Sequence, residues 1–272
     1  MRGFVILAAA AAGLFFLPPA ALAEKIGEPN SASWSFEGIF GTYDKAQLRR
    51  GYTVYAEVCA GCHSLRLVAY RNLLEIGLSK ERIEKIAAEK EVPGDPDEEG
   101  EPTMRKAIAS DKFVGPFANV NAARSANNGA LPPDLSLMTK ARLGGPGYVY
   151  ALLTGYGKKL PKFETDAHGR IKKDKDKQPI PFKMGEGLQY NPHFPGSKIA
   201  MAPPLSAEAV EYTDKTKATV PQMALDVVAF MQWAADPWLE DRKRLGIKVI
   251  LFLILLSGLL YAWKRKVWAD VH

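Results

Sequence analysis

The sequence predicts a mainly α-helical protein, with one globular body followed by a single C-terminal transmembrane helix. Three observations carry this. Stretches beginning at Asp44 and at Thr219 combine a helix-start signature with apolar residues at helical spacing. Eighteen nearly uninterrupted apolar residues lie close to the C-terminus. The connecting segments are rich in glycine and proline, so little strand is expected. An apolar content of 47% excludes a largely disordered chain.

The first 23 residues, MRGFVILAAAAAGLFFLPPAALA, open with Arg2, continue as an apolar run and end in small residues, Ala21 and Ala23, before Glu24. That is the build of a secretory signal peptide cleaved after Ala23. A retained membrane helix is the alternative, but the run is short and breaks at Pro18 and Pro19. Residues 24–240 then form one exported body, in which no internal repeat is evident.

The first helix of the body starts at Asp44, whose side chain caps it, with Gln47 three residues on. Leu48, Tyr52, Tyr55 and Cys59 recur at helical spacing, and Gly51 in the middle permits a close helix crossing. This helix ends at VCAGCHS, which holds the only two cysteines of the chain, Cys59 and Cys62, followed by His63. C-x-x-C-H is the attachment signal of c-type heme: two thiols at this spacing add to the two vinyl groups, and the adjacent histidine reaches the iron. A redox disulfide of the thioredoxin kind needs a strand before the motif, whereas here the motif closes a helix. A zinc site needs four ligands, and the remaining histidines, 168, 193 and 272, are scattered. Export agrees with covalent heme, which is normally attached outside the cytoplasm.

Residues 81–90 form a weaker helical candidate, and another helix begins near Tyr148. Two highly charged segments interrupt the body. Residues 91–102, EVPGDPDEEGEP, carry six acids and three prolines; residues 158–183 carry nine basic and four acidic side chains. Both read as mobile surface loops. Formal net charge is +6, which alone suggests a nucleic-acid or anionic-membrane partner, but residues 24–111 hold 12 basic against 16 acidic side chains. The surface is charge-segregated and not basic throughout. The acidic run has two readings, attraction of a basic partner or a simply solvated loop.

The second strong helix starts at Thr219, with Gln222 completing a capping box, Pro221 in the first turn, and Leu225, Val228, Ala229 and Trp233 as its apolar positions. Residues 246–263, GIKVILFLILLSGLLYAW, include one charge, Lys248, and span about 27 Å at 1.5 Å per residue, enough to cross a bilayer. A buried core helix is the alternative, with basic clusters at both ends, 242–244 and 264–266, against it. These flanks do not set the orientation. The signal peptide does, leaving residues 264–272 in the cytoplasm.

Heme iron bound by His63 needs a sixth ligand. Met223 and Met231 belong to a predicted helix, where methionine is usually core filler, and Met104 and Met184 sit in or beside charged loops. Met201 lies in the apolar, proline-stiffened stretch IAMAPP and is favoured over His193, although both side chains can bind iron. A heme closed on both faces has no open position for oxygen or peroxide, which leaves one-electron transfer.

The blocks RRGYTVYAEVCAGCHSLRLVAYRNL, ARSANNGALPPDLSLMTKARLGGPGYVYALLTGY, NPHFPGSKIAMAPPL and DVVAFMQWAADPWLEDRKRLGIKV, in this order and before a membrane anchor, resemble the cytochrome c1 family of the quinol–cytochrome c reductase (cytochrome bc1) complex, in a bacterial form. The resemblance covers nearly all of the mature chain. It implies a class I cytochrome c fold with loop insertions, one heme c held by Cys59 and Cys62, and iron ligation by His63 and Met201. It also implies a heme-propionate partner at Arg124, which is otherwise a surface charge. Further implied are cytochrome b and a Rieske iron–sulfur protein as neighbours in a dimeric complex, and a soluble or tethered cytochrome c as acceptor. The expected place is the bacterial inner membrane, with the heme domain in the periplasm. The resemblance puts the quinol site elsewhere in the complex and leaves open whether this chain alone counts as an enzyme. The basic insertion at 158–183 departs from the family pattern. A free-standing membrane-anchored shuttle would share heme and anchor but has no need of the ANNGALPPDLS block. A heme enzyme or gas sensor would keep an open or labile sixth position, and a diheme peroxidase would need a second C-x-x-C-H.

Overall fold

A computed structural model describes residues 32–166 and 169–270. The expected signal peptide, His168 and His272 lie outside them. The described chain is mainly helical, as expected: α1 (Lys45–Glu57), α2 (Lys80–Ala88), α3 (Val120–Ala126), α4 (Met138–Ala141), α5 (Gly145–Thr154), α6 (Val220–Ala235) and α7 (Leu239–Val267). Two small two-stranded sheets accompany them, β1 (Glu91–Pro93) with β2 (Met104–Lys106), and β3 (Gln189–Tyr190) with β4 (Lys198–Ile199).

Both strong helices start at the caps read from the sequence, but the capping boxes do not close: the Gln222 side chain donates to Asp226 Oδ1 at 3.0 Å and not back to Thr219. Asp44 Oδ1 accepts from Ala46 N and Gln47 N at 2.8 and 3.3 Å, and the Thr219 hydroxyl accepts from Gln222 N at 3.3 Å. The core is the crossing of these two helices. Tyr52 and Tyr55 of α1 pack on Phe230 of α6 with ring centroids 5.8 and 5.7 Å apart. Gly51 allows the approach, since a Cβ there would stand 2.0 Å from the Asp226 carbonyl oxygen. Asp226 is fully buried and is paired with Arg50 at 3.0 Å, so its charge does not enter the core alone. Met223 and Met231 are buried filler in this layer.

The weaker helices begin earlier than read, because their caps lie upstream of the periodic residues. Ser79 caps α2 by accepting from Arg82 N at 3.3 Å, and α5 starts at Gly145 behind Gly144 at φ +84°. The last helix also exceeds the predicted 246–263 at both ends. Glu240 and Asp241 occupy its first turn and Lys264 to Lys266 its last, matching the helix dipole, so the polar flanks continue the helix. The boundary expected at 240/241 between body and anchor therefore falls inside α7. Its apolar stretch is exposed along its length and suits a membrane span. The start of α7 is strapped to the body: Lys243 Nζ donates to the carbonyls of Phe36 and Gly41 at 2.7 and 3.0 Å, and Tyr43 N donates to Glu240 Oε1 at 2.9 Å.

Both charged loops prove to be built structures. Residues 91–106 form a hairpin whose turn is made by Asp97: Oδ1 accepts from Glu101 N at 2.8 Å, and Gly100 takes φ +83°. The same five-residue turn occurs twice in the basic segment. Asp166 Oδ1 accepts from Arg170 N and Asp174 Oδ1 from Gln178 N, both at 2.9 Å, with Gly169 and Lys177 at φ +75° and +62°. The two turns are eight residues apart, and the segments beside them meet in isolated β-bridges: Lys172 N donates to Glu164 O, Ile180 N to Lys172 O and Glu164 N to Ile180 O, at 2.8 to 3.0 Å. The body thus contains a short internal repeat that the side chains conceal, because only the aspartates and the positive-φ position recur.

Candidate cofactor site

Helix α1 delivers the cysteine motif. It continues past Glu57 into a 3₁₀ turn, Cys59–Gly61, where Cys59 O accepts from both Cys62 N and His63 N at 3.1 and 2.9 Å. The two thiols are free, Cys59 half-buried and Cys62 exposed. Burial, with a smaller contribution from Cys62, pushes the Cys59 thiol up to about 12. A thiol so far from ionisation is unsuited to thioredoxin-type exchange, which needs a thiolate. Among the described residues, no three His, Cys, Asp or Glu side chains converge to hold a bare metal ion.

His63 is prepared as a ligand by a residue 70 positions away. Its Nδ1 lies 2.8 Å from the Pro133 carbonyl oxygen. That oxygen can only accept, so Nδ1 carries the hydrogen and Nε2 keeps its lone pair for a metal. Burial lowers the pKa of the ring, partly opposed by the Pro133 bond and the Asp134 charge, and the net effect favours the neutral, ligating form. Pro133 is itself held in place. The Asp134 carboxylate accepts from the Ser64 hydroxyl (2.7 Å), Arg66 N (3.0 Å) and Ser136 N (2.9 Å), while Leu135 N donates to Ser64 O and Leu67 N to the Ser136 hydroxyl. Burial raises the Asp134 carboxyl, but these hydrogen bonds outweigh it and hold the group below its usual range. The PPDLS segment was distinctive in the sequence, but nothing local to it announced a brace for His63.

Met201 lies two residues beyond β4. It is half-buried, its carbonyl accepts from the Tyr156 hydroxyl at 3.0 Å, and Pro203 and Pro204 stiffen the backbone just beyond it. Tyr156 lies just past α5, which packs on α6 as α1 does, so one core helix seats both carriers. The loop from 191 to 201 is fastened by fully buried Asn191, whose Nδ2 donates to Leu152 O at 2.7 Å and whose Oδ1 accepts from His193 N at 3.0 Å. The His193 ring is wedged against the backbone after α5: a Cβ on Gly155 would meet its Cδ2 at 2.7 Å.

Arg124 is not joined to the motif. It is exposed on α3, and its Nη1 donates to Gly129 O at 2.8 Å while Gly129 N returns a bond to Arg124 O, closing the NNG turn. The residues fit a covalently held heme on their donor chemistry: two free thiols at the end of a helix, an imidazole fixed with Nε2 free, and a thioether on a stiff, separately anchored loop.

A family model described as the Cytochrome C1 family matches residues 34–271. The cytochrome c1 of Rhodospirillum rubrum is 48% identical over 238 residues, covering 88% of this chain and 86% of that protein. A mitochondrial cytochrome c1 heme protein of Arabidopsis thaliana is 44% identical over 269 residues, 98% of this chain and 81% of that one. The mitochondrial cytochrome b-c1 complex catalytic subunit of Candida albicans is 43% identical over 244 residues, 89% and 78% of the two chains.

Proposed function

The chain belongs to the cytochrome c1 family, and on that premise we propose that it is the membrane-anchored heme subunit of a quinol–cytochrome c reductase complex. In this reading it accepts electrons from the Rieske iron–sulfur protein and passes them to a soluble or tethered cytochrome c. Cys59 and Cys62 tether one heme c, His63 and Met201 ligate its iron, and Arg124, whose Nη1 closes its own turn, offers its other guanidinium donors to a propionate. Heme held by two strong axial ligands supplies a one-electron couple with a raised potential and no open coordination position. The protein's part is positional. Pro133 and the Asp134 network hold the imidazole orientation, and Tyr156 holds the Met201 backbone.

Residues 1–23 act as a signal peptide, the body lies in the periplasm, α7 crosses the bacterial inner membrane, and residues after 263 face the cytoplasm. Cytochrome b and the Rieske protein are the neighbours, in a dimeric complex. The observation that carries the reading is the His63 Nδ1 bond to Pro133, because it leaves Nε2 free beside two tethering thiols. Purification in mild detergent tests it. The expected outcome is a chain whose mass includes one covalent heme and which copurifies with cytochrome b and an iron–sulfur protein. Recovery of the hemoprotein alone would mark a free-standing shuttle instead.

A further inference from the structure

The proposed function leaves the basic unit at 158–183 without a role. Its eight lysines, 158, 159, 162, 172, 173, 175, 177 and 183, are exposed, and none of them forms an ion pair among the described residues. Three of the four acids are engaged locally, Glu164 with Lys198 at 2.8 Å, Asp166 with Arg170 at 2.8 Å, and Asp174 as acceptor from two main-chain N–H groups; the fourth, Asp176, is exposed among the lysines and offsets one of their charges. A charged run is usually just a solvated face. Two observations take this one further. Isolated β-bridges and the backbone bonds among Glu164, Lys172 and Ile180 hold the lysine-bearing segments to one another, which lowers the cost of ordering them on binding. The unit is also fastened to the strand that precedes Met201. Lys198 of β4 holds Glu164 and lies 4.9 Å from the Phe182 ring centroid, and Phe182 packs edge-on against Tyr190 of β3 at 5.6 Å.

We propose that this basic unit is the docking surface for an electron-acceptor protein with an acidic face, held beside the Met201 loop. The inference rests on the proposed function. A lipid surface is the weaker fit, because membrane-seated basic segments also insert apolar side chains, and here only Leu160 and Ile171, 58% and 49% exposed, offer any. Opposite charges accelerate encounter and select the partner, in a salt-dependent way.

The test is binding without turnover, using the oxidised complex in mild detergent. The probes are cytochrome c with its lysines succinylated, hence acidic, and unmodified cytochrome c. Reversing Lys172, Lys173, Lys175 and Lys177 to Glu is expected to weaken binding of the succinylated probe by about tenfold or more at low salt and to flatten its salt dependence. Lys→Gln at the same four positions should give an intermediate loss with an unchanged melting temperature. If the preparation lacks heme, or reduces neither form of cytochrome c with quinol, the proposed function itself fails. If it carries heme and reduces either form, and the reversed variant binds the succinylated probe as tightly as the native protein, only the docking inference falls. It falls equally if the reversal strips cytochrome b from the complex, or weakens association only with phosphatidylserine vesicles.

Discussion

At His63, one bond decides which ring nitrogen can serve a metal, and Asp134 keeps the carbonyl that makes it. Asp134→Ala removes one acceptor from three donors, Ser64 Oγ, Arg66 N and Ser136 N, in a partly buried place. The expected cost is about 2–3 kcal/mol, a fall in Tm of roughly 4–12 °C, read by thermal unfolding. A melt unchanged within a degree would mean that water replaces the brace. Cys59, Cys62 and His63 stand out in the sequence as candidates because their chemistry is local: five consecutive positions define the motif. Pro133 and Asp134 were not, because their meaning depends on a loop closure of 70 residues that no short pattern encodes. Met201 was legible only as the better of two candidates, and Tyr156 and Asn191, which fasten its loop, were invisible for the same long-range reason.

Among the elements, the junction between α6 and α7 is a titratable one. Asp236 is buried and paired with Arg242 and, at 3.3 Å, with Lys140; the Arg242 bond foremost draws its carboxyl below its ordinary value near 3.8, against the effect of burial. A carboxyl whose folded pKa is depressed adds stability above its unfolded pKa and loses it as the pH falls through the folded one. Asp236→Asn should therefore cost about 1–2 kcal/mol near neutrality, where both cations are partly exposed and screened. The gap between variant and native melting temperatures should close as the pH is taken below about 3.8. A gap that stays constant down to the acid limit would assign the cost to packing and not to charge. The long helices were readable because caps and apolar spacing lie in the same few residues. The hairpins were misread as mobile loops because their strands are short and charged, and their order comes from aspartate-built turns in place of an apolar face. Lys177 holds, at φ +62°, the position that glycine fills in the two sister turns. Lys177→Gly is accordingly expected to stabilise the chain by about 0.5–1 kcal/mol, seen as a higher Tm, and a lower Tm would show that the lysine side chain supports the turn.

For the whole molecule, the two carriers of the site reach a common core from segments about ninety residues apart, α1 with the cysteine motif and α5 with the anchor of the Met201 loop, both on α6. The anchor helix then ties this body to a membrane, with the segment from Phe36 to Tyr43 strapped across its start. Burial of Met223 and Met231 in α6 leaves them unable to serve as ligands without dismantling the core, which concentrates the claim on Met201. Redox titration of the purified complex with native Met201 and with Met201→Leu, each reduced form then exposed to carbon monoxide, tests that claim most directly. The account predicts that the substitution lowers the reduction potential and opens the iron to carbon monoxide, while the covalent heme stays in place. A variant that keeps the native potential and remains inert to carbon monoxide would contradict it.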